Sequence, residues 1–177
     1  LFHDKGDLAT EYLAHSGKDG QTGQSYREHV ENVRERSMRY AKEACYYLSD
    51  SKSAEAFQEV IEAAATWHDL GKLHPDNQAV LHKESKERHL PINHVDAGVA
   101  TLLRAEKIVA ALLVYSHHRG LPDVEGAESC GFRDEHPDMR RMVDTLLDNF
   151  MKIHQQVCQD NNDYGEKIYE CDQGVGF

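Results

Sequence analysis

At 177 residues and 20.1 kDa, with 40% hydrophobic and 29% charged residues, the chain is long enough to bury one sizeable core and too short for several. Its mean hydropathy is -0.69, and the best apolar run, Ile108 to Tyr115, falls far short of the roughly 20 residues a membrane-spanning helix needs, which excludes insertion by such a helix. A net charge of -11, from 31 acidic against 20 basic residues, excludes capture of nucleic acid by bulk electrostatics, so a phosphate-bearing substrate requires local positive charge.

In chain order the pattern is helical. Ser25 with Glu28 three residues later is a capping-box signature, opening a helix whose apolar positions are Val30, Val33, Tyr40, Ala41, Ala44 and Leu48. A second helix is predicted over about 54–67, through Phe57, Val60, Ile61, Ala64 and Ala65 to Trp67, with His68 and Asp69 in its last turn and Gly71 as a left-handed stop. After Pro75 a short helix is expected over about 76–86. Asn93 and Asp96 cap the next, which carries Val95, Val99, Leu102 and Leu103, and another follows over about 107–118. Residues 121–137 read as a long loop. A last helix over about 138–159 places Met142, Val143, Leu146, Leu147, Phe150, Ile153 and Val157 on one side, and 161–177 reads as a polar tail or a connection to a further C-terminal part. Strand-like alternation is nearly absent, so the fold class is all-α, a compact helical bundle.

Cys45, Cys130, Cys158 and Cys171 are scattered, none at the two-residue spacing of a zinc knuckle, and read as free thiols of a cytoplasmic protein. The abnormal number is the 12 histidines, several of which stand beside acids, glycines and helix starts. The central run is Trp67-His68-Asp69-Leu70-Gly71-Lys72. Neighbours on a helix point about 100° apart, so the imidazole and the carboxylate can reach one metal from different sides, or two metals with the Asp bridging. Gly71 is expected to leave room for a phosphate, and Lys72 supplies a positive charge. His29, His94 and the doublet His117-His118 fall on three other predicted helices, which a bundle can converge on one interior pocket. Five imidazoles and a carboxylate exceed what one open catalytic zinc takes from protein, so two metals are the natural inference. An imidazole-rich shell favours Mn, Fe, Co, Ni or Zn over Mg or Ca.

This order of motifs resembles the HD superfamily of metal-dependent phosphohydrolases. Within it, the chain is most similar to the HD nuclease domain of the type I CRISPR-associated helicase-nuclease. The resemblance covers about 14–120. It rests on Ala14-His15-Ser16, Glu28-His29, His68-Asp69-Leu70-Gly71-Lys72, Pro75-Asp76-Asn77-Gln78, His94 with Ala97-Gly98, and Ser116-His117-His118. It implies an HD nuclease domain over 1–160, with His29, His68 and Asp69 on one metal and His94, His117 and His118 completing a second that Asp69 bridges. It further implies that Asp69 and Lys72 are catalytic, Lys72 facing the scissile phosphate. The implied partners are single-stranded DNA, a helicase domain or subunit and an RNA-guided CRISPR surveillance complex. Two departures stand out: Arg119 follows the doublet where the family usually has Gly, and no motif marks the family's last metal-binding Asp, Asp144 and Asp148 lying on the last helix but in no recognisable motif.

An HD phosphohydrolase acting on nucleotides shares this metal logic but needs a closed pocket for base and sugar. A metal-stabilised interaction domain would need neither an open coordination position nor Lys72. Trp67 is expected in the core, and His15 in a supporting role. His3, His74, His82, His89, His136 and His154 are expected at the surface. Arg34, Arg36, Arg39 and Lys42, like Lys83, Lys86 and Arg88, are interleaved with Glu and read as solvated faces rather than a nucleic-acid path.

Overall fold

Ser25 leads the chain out of a short antiparallel pair, β1 (Leu13–His15) with β2 (Gln24–Ser25), into helix α1 (Tyr26–Cys45), and its hydroxyl accepts the Glu28 amide at 3.2 Å. The computed structural model describes residues 12–18, 20–118, 120 and 147–158. Helix α2 (Ser51–Trp67) starts three residues before the expected Ala54, because Asp50 accepts the amides of Lys52 and Ser53 as an N-cap. A 3-10 turn follows over Leu70–Leu73, then α3 (Pro75–Leu81), α4 (His94–Arg104), α5 (Ile108–Ser116) and α6 (Leu147–Val157). Asn93 caps α4 through the Val95 amide at 3.2 Å, as its sequence suggests. The 121–137 segment, the first part of the last expected helix and the 161–177 tail lie outside the described residues.

Helix α1 packs along α2 and α4 along α5. Helix α2 also touches both members of the second pair, while α6 rests on the 3-10 turn and α4. Between them lies the core of Tyr26, Trp67, Leu70, Leu73, Val99, Leu102, Val114, Leu147 and Phe150, all buried. Each such apolar side chain stabilises the fold by about 1.5–3 kcal/mol. The fold is an all-α bundle, and none of the described helices is long and apolar enough to cross a membrane.

Buried polar side chains lock the turn on which the site is built. The Asn77 amide, fully buried, donates to Gly71 O at 2.9 Å and to Ile92 O at 3.0 Å, and accepts Ile92 N at 3.1 Å. Gln78 donates to Lys72 O at 2.7 Å and Leu13 O at 2.9 Å, and accepts Leu13 N at 2.9 Å. The 3-10 turn is thereby tied to β1 and to the segment entering α4.

Four expectations are corrected by the structure. Gly71 is no left-handed stop: it lies inside the 3-10 turn, and the positive-φ glycines among the described residues are Gly20 and Gly120. Its missing side chain is required by α4, since a Cβ there would meet His94 Cα and O at 2.7 Å, so the space is filled by backbone rather than left for phosphate. His154 is not at the surface but 5% exposed in the core, its Nδ1 3.0 Å from the Tyr26 hydroxyl and its ring 4.4 Å from that of Trp67. Tyr40, Ala44 and Leu48, expected as apolar positions of the first helix, are exposed: Tyr40 points about 100° away from the buried Ala41, and Leu48 lies past the helix end at Cys45.

Candidate metal centre

Asp69 begins the 3-10 turn immediately after α2 and is 2% exposed. Its Oδ2 lies 2.7 Å from Lys72 Nζ, 2.9 Å from His29 Nε2 and 3.3 Å from His68 Nε2. Its Oδ1 is buried without a hydrogen-bond partner, although His94 Nε2 stands 3.5 Å away and His117 Nε2 3.8 Å away. His118 Nε2 is in turn 2.9 Å from His94 Nε2. All six side chains named as ligands in the sequence therefore converge, from the start of α1, the end of α2, the start of α4 and the end of α5. They form two groups that share Asp69, His29-His68-Asp69 and Asp69-His94-His117-His118, each with its ligating atoms within 4.8 Å of one another.

The ring orientations follow from the outer partners. His68 Nδ1 donates to Ala65 O at 2.8 Å, His117 Nδ1 to Val114 O, and His29 Nδ1 to Gln24 Oε1 at 3.2 Å. In each ring that bond puts a proton on Nδ1 and turns Nε2 toward Asp69, the orientation in which metal-ligating histidines are held. With the Nδ1 protons so placed, His29 Nε2 and His68 Nε2 face each other at 3.1 Å, an arrangement of two nitrogens that a shared cation would satisfy. The orphaned Oδ1 and this pair of facing nitrogens are the two observations by which the donor set fits a metal.

Electrostatics agree. Burial alone would raise the Asp69 pKa, but the facing His117, His29 and His68 rings outweigh it and hold the carboxylate far below its usual range. His94 is pushed down to about 4, chiefly by burial and despite the attraction of Asp69, so it is neutral and able to ligate near pH 7. His118 is also lowered, by burial and then by His117. His117 is raised, since its bonds to Asp69 and the Val114 carbonyl overcome its burial.

Lys72 is buried, with its amino group on Asp69 rather than pointing into open space. His15 packs edge-on against His29 with ring centroids 4.8 Å apart, and its pKa is lowered by burial and by Lys72 and His29. A cavity of about 400 Å³ opens on His29, His68, Asp69, Lys72 and His117, and its far wall is apolar, formed by Val33, Ile61 and Leu113. Asp148 is exposed and bonds Arg104 at 2.8 Å, outside both groups, while Asp144 and Arg119 lie outside the described residues.

Three supporting groups escaped the sequence reading: Gln24, Tyr26 and His154. Gln24 carries no motif. His154 did leave a signal, because Leu147, Phe150, Met151, His154 and Val157 are spaced as one buried helical stripe.

A family model described as HD domain matches residues 26–153, from the first residue of α1 into α6. No curated protein and no solved structure matches the chain significantly. With more than half its length matched and His68-Asp69 at the centre of the converging ligands, the chain belongs to the HD domain family, and its chemistry is that of a metal-dependent phosphohydrolase.

Proposed function

We propose that this phosphohydrolase is a two-metal nuclease that cuts single-stranded DNA, the HD part of a type I CRISPR interference effector, working with a helicase domain or subunit and an RNA-guided surveillance complex. The observation that carries the reading is the sharing of Asp69 by two histidine groups, the second built on the doublet His117-His118. A single catalytic ion would leave most of that second group without a purpose.

His29, His68 and Asp69 would hold one divalent ion, and Asp69, His94, His117 and His118 the other. Bound there, a pair of transition-metal ions supplies an activated water and neutralises charge on the phosphate oxygens. The chain's own residues prepare the ground for this. The histidines keep Asp69 ionised, so it offers both oxygens. Ala65 O, Val114 O and Gln24 hold three imidazoles in the ligating tautomer. Lys72, paired with Asp69 at 2.7 Å, offsets that carboxylate's charge on an otherwise acidic protein and so lowers its repulsion of the phosphodiester. No side chain is required as nucleophile. His117 and His118 are exposed, which supports access by a polymer.

The apolar wall of the adjoining cavity favours one other reading, hydrolysis of a free nucleotide whose base would occupy it. A cleavage assay separates the two. Labelled single-stranded DNA and a nucleotide panel are incubated metal-free and with Mn, Co, Ni or Mg. DNA cutting that needs a transition metal and disappears in Asp69→Ala is the expected result; nucleotide turnover without DNA cutting would move the assignment to the second reading.

A further inference from the structure

Helix α1 does more than carry His29. At about 100° per residue, His29, Arg36 and Tyr40 fall within a sector of roughly 40° on one face of α1, and the face emerges from the site as the helix extends outward. Tyr40 is 60% exposed, and just past the helix end Tyr46 and Tyr47 are 84% and 86% exposed. Three tyrosines left this open at one end of a helix are unusual, because an aromatic ring normally buries much of its surface. They surround one surface concavity of about 660 Å³ together with Lys42, Glu43 and Ala44. The Tyr46 and Tyr47 rings stand edge to face at 5.4 Å and 89°, which leaves ring faces uncovered, and the Arg39 guanidinium lies 5.1 Å from the Tyr40 ring. Among the described residues, Arg36 and Lys42 pair with no carboxylate, unlike Arg27 and Arg34, which pair with Glu31 and Glu62.

Open aromatic faces interleaved with unpaired cations are the chemistry that takes single strands: bases stack on the rings without being read, and the cations follow the phosphates. A helix rises about 1.5 Å per residue, so Tyr40 lies roughly 16 Å along α1 from His29, within the span of a few nucleotides. We infer that the outer face of α1, from Arg36 through Tyr40 to Tyr46 and Tyr47, is a docking track that holds single-stranded DNA and leads it toward Asp69. The inference rests on the nuclease reading for its direction. It differs from the reading of Arg36, Arg39 and Lys42 as only a solvated face.

The test is anisotropy of a labelled oligodeoxythymidylate with the full chain, together with hydrolysis of bis(p-nitrophenyl) phosphate, a diester too small to reach the track. Tyr46→Ala/Tyr47→Ala is expected to weaken DNA binding by about tenfold per ring removed. Tyr46→Phe/Tyr47→Phe should restore it, and hydrolysis of the small diester should be unchanged in both. Arg36→Ala/Lys42→Ala should lower the slope of log Kd against log salt by about 1.4, two single-strand contacts. Wild-type affinity in the alanine variants, or no DNA binding by the wild type, would overturn the track. A change in sedimentation showing that the tyrosines join two copies of the chain would overturn it as well. Loss of small-diester hydrolysis in the wild type under every metal would instead sink the phosphodiesterase reading, and anisotropy would still decide the track.

Discussion

Lowering the pH on the metal-free protein tests whether the core behind the site is built as described. His154 is buried against Trp67 and Tyr26, and burial pushes its pKa from 6.5 down to about 4. The folded state therefore favours the neutral ring, and the unfolded chain binds the proton more readily. The stability this contributes is intact above pH 6.5 and is lost as pH falls through the window from 6.5 toward 4. Between pH 7.5 and 4.5 the loss from this one group is roughly 2–3 kcal/mol at 1.36 kcal/mol per pKa unit, a large part of the stability of an ordinary domain. His94 titrates over the same window in the metal-free protein, so the assay is a difference. Urea unfolding in chelator at pH 7.5 and 4.5 is compared between wild type and His154→Phe. The variant starts lower at pH 7.5, having left the Tyr26 hydroxyl without its partner, but should lose about 2–3 kcal/mol less on acidification. An equal loss in both proteins would refute the burial of a neutral His154.

Three further outcomes are expected. Gly71→Ala drives a Cβ onto His94 backbone atoms at 2.7 Å, so it should cost about 1–3 kcal/mol in urea unfolding and weaken metal binding by calorimetry about 10- to 100-fold, through the shift of His94. Asn77→Ala removes three buried hydrogen bonds that tie the 3-10 turn to the entry of α4, and should cost about 3 kcal/mol or more by the same unfolding assay. Adding Mn or Ni at about 100 times its Kd should stabilise the wild type against unfolding by about 2.7 kcal/mol for each ion held, about 5.4 kcal/mol for two, and Asp69→Ala by nearly nothing.

Much of this architecture was legible because it is local. Ser25 and Asn93 announce their helices through a side chain that reaches two or three residues along the chain, and the HD run sets its pair at a helix end whatever surrounds it. What escaped depends on partners distant in sequence. Gly71 looks like a helix stop until α4 is seen lying against it. Asn77 and Gln78 are polar residues whose burial makes sense only beside Ile92, Leu13 and the turn. His154 was masked by its polarity, although its spacing belonged to the buried stripe of α6. Conversely, Tyr40 fitted an apolar period and is exposed, because it sits at the edge of the face that Val30 and Ala41 bury, about 100° from Ala41. The convergence of His29, His68, His94, His117 and His118 on Asp69 could be expected from motif order, whereas the shared use of its two oxygens needed coordinates.

The most direct test of the central claim counts metal. Purified chain is stripped, loaded with Mn, Co or Ni, dialysed to equilibrium and assayed for metal per protein. The two histidine groups around Asp69 predict two ions per chain in the wild type, one in His117→Ala/His118→Ala and none in Asp69→Ala with helical content preserved. Full metal content in Asp69→Ala, or none in the wild type, would contradict it.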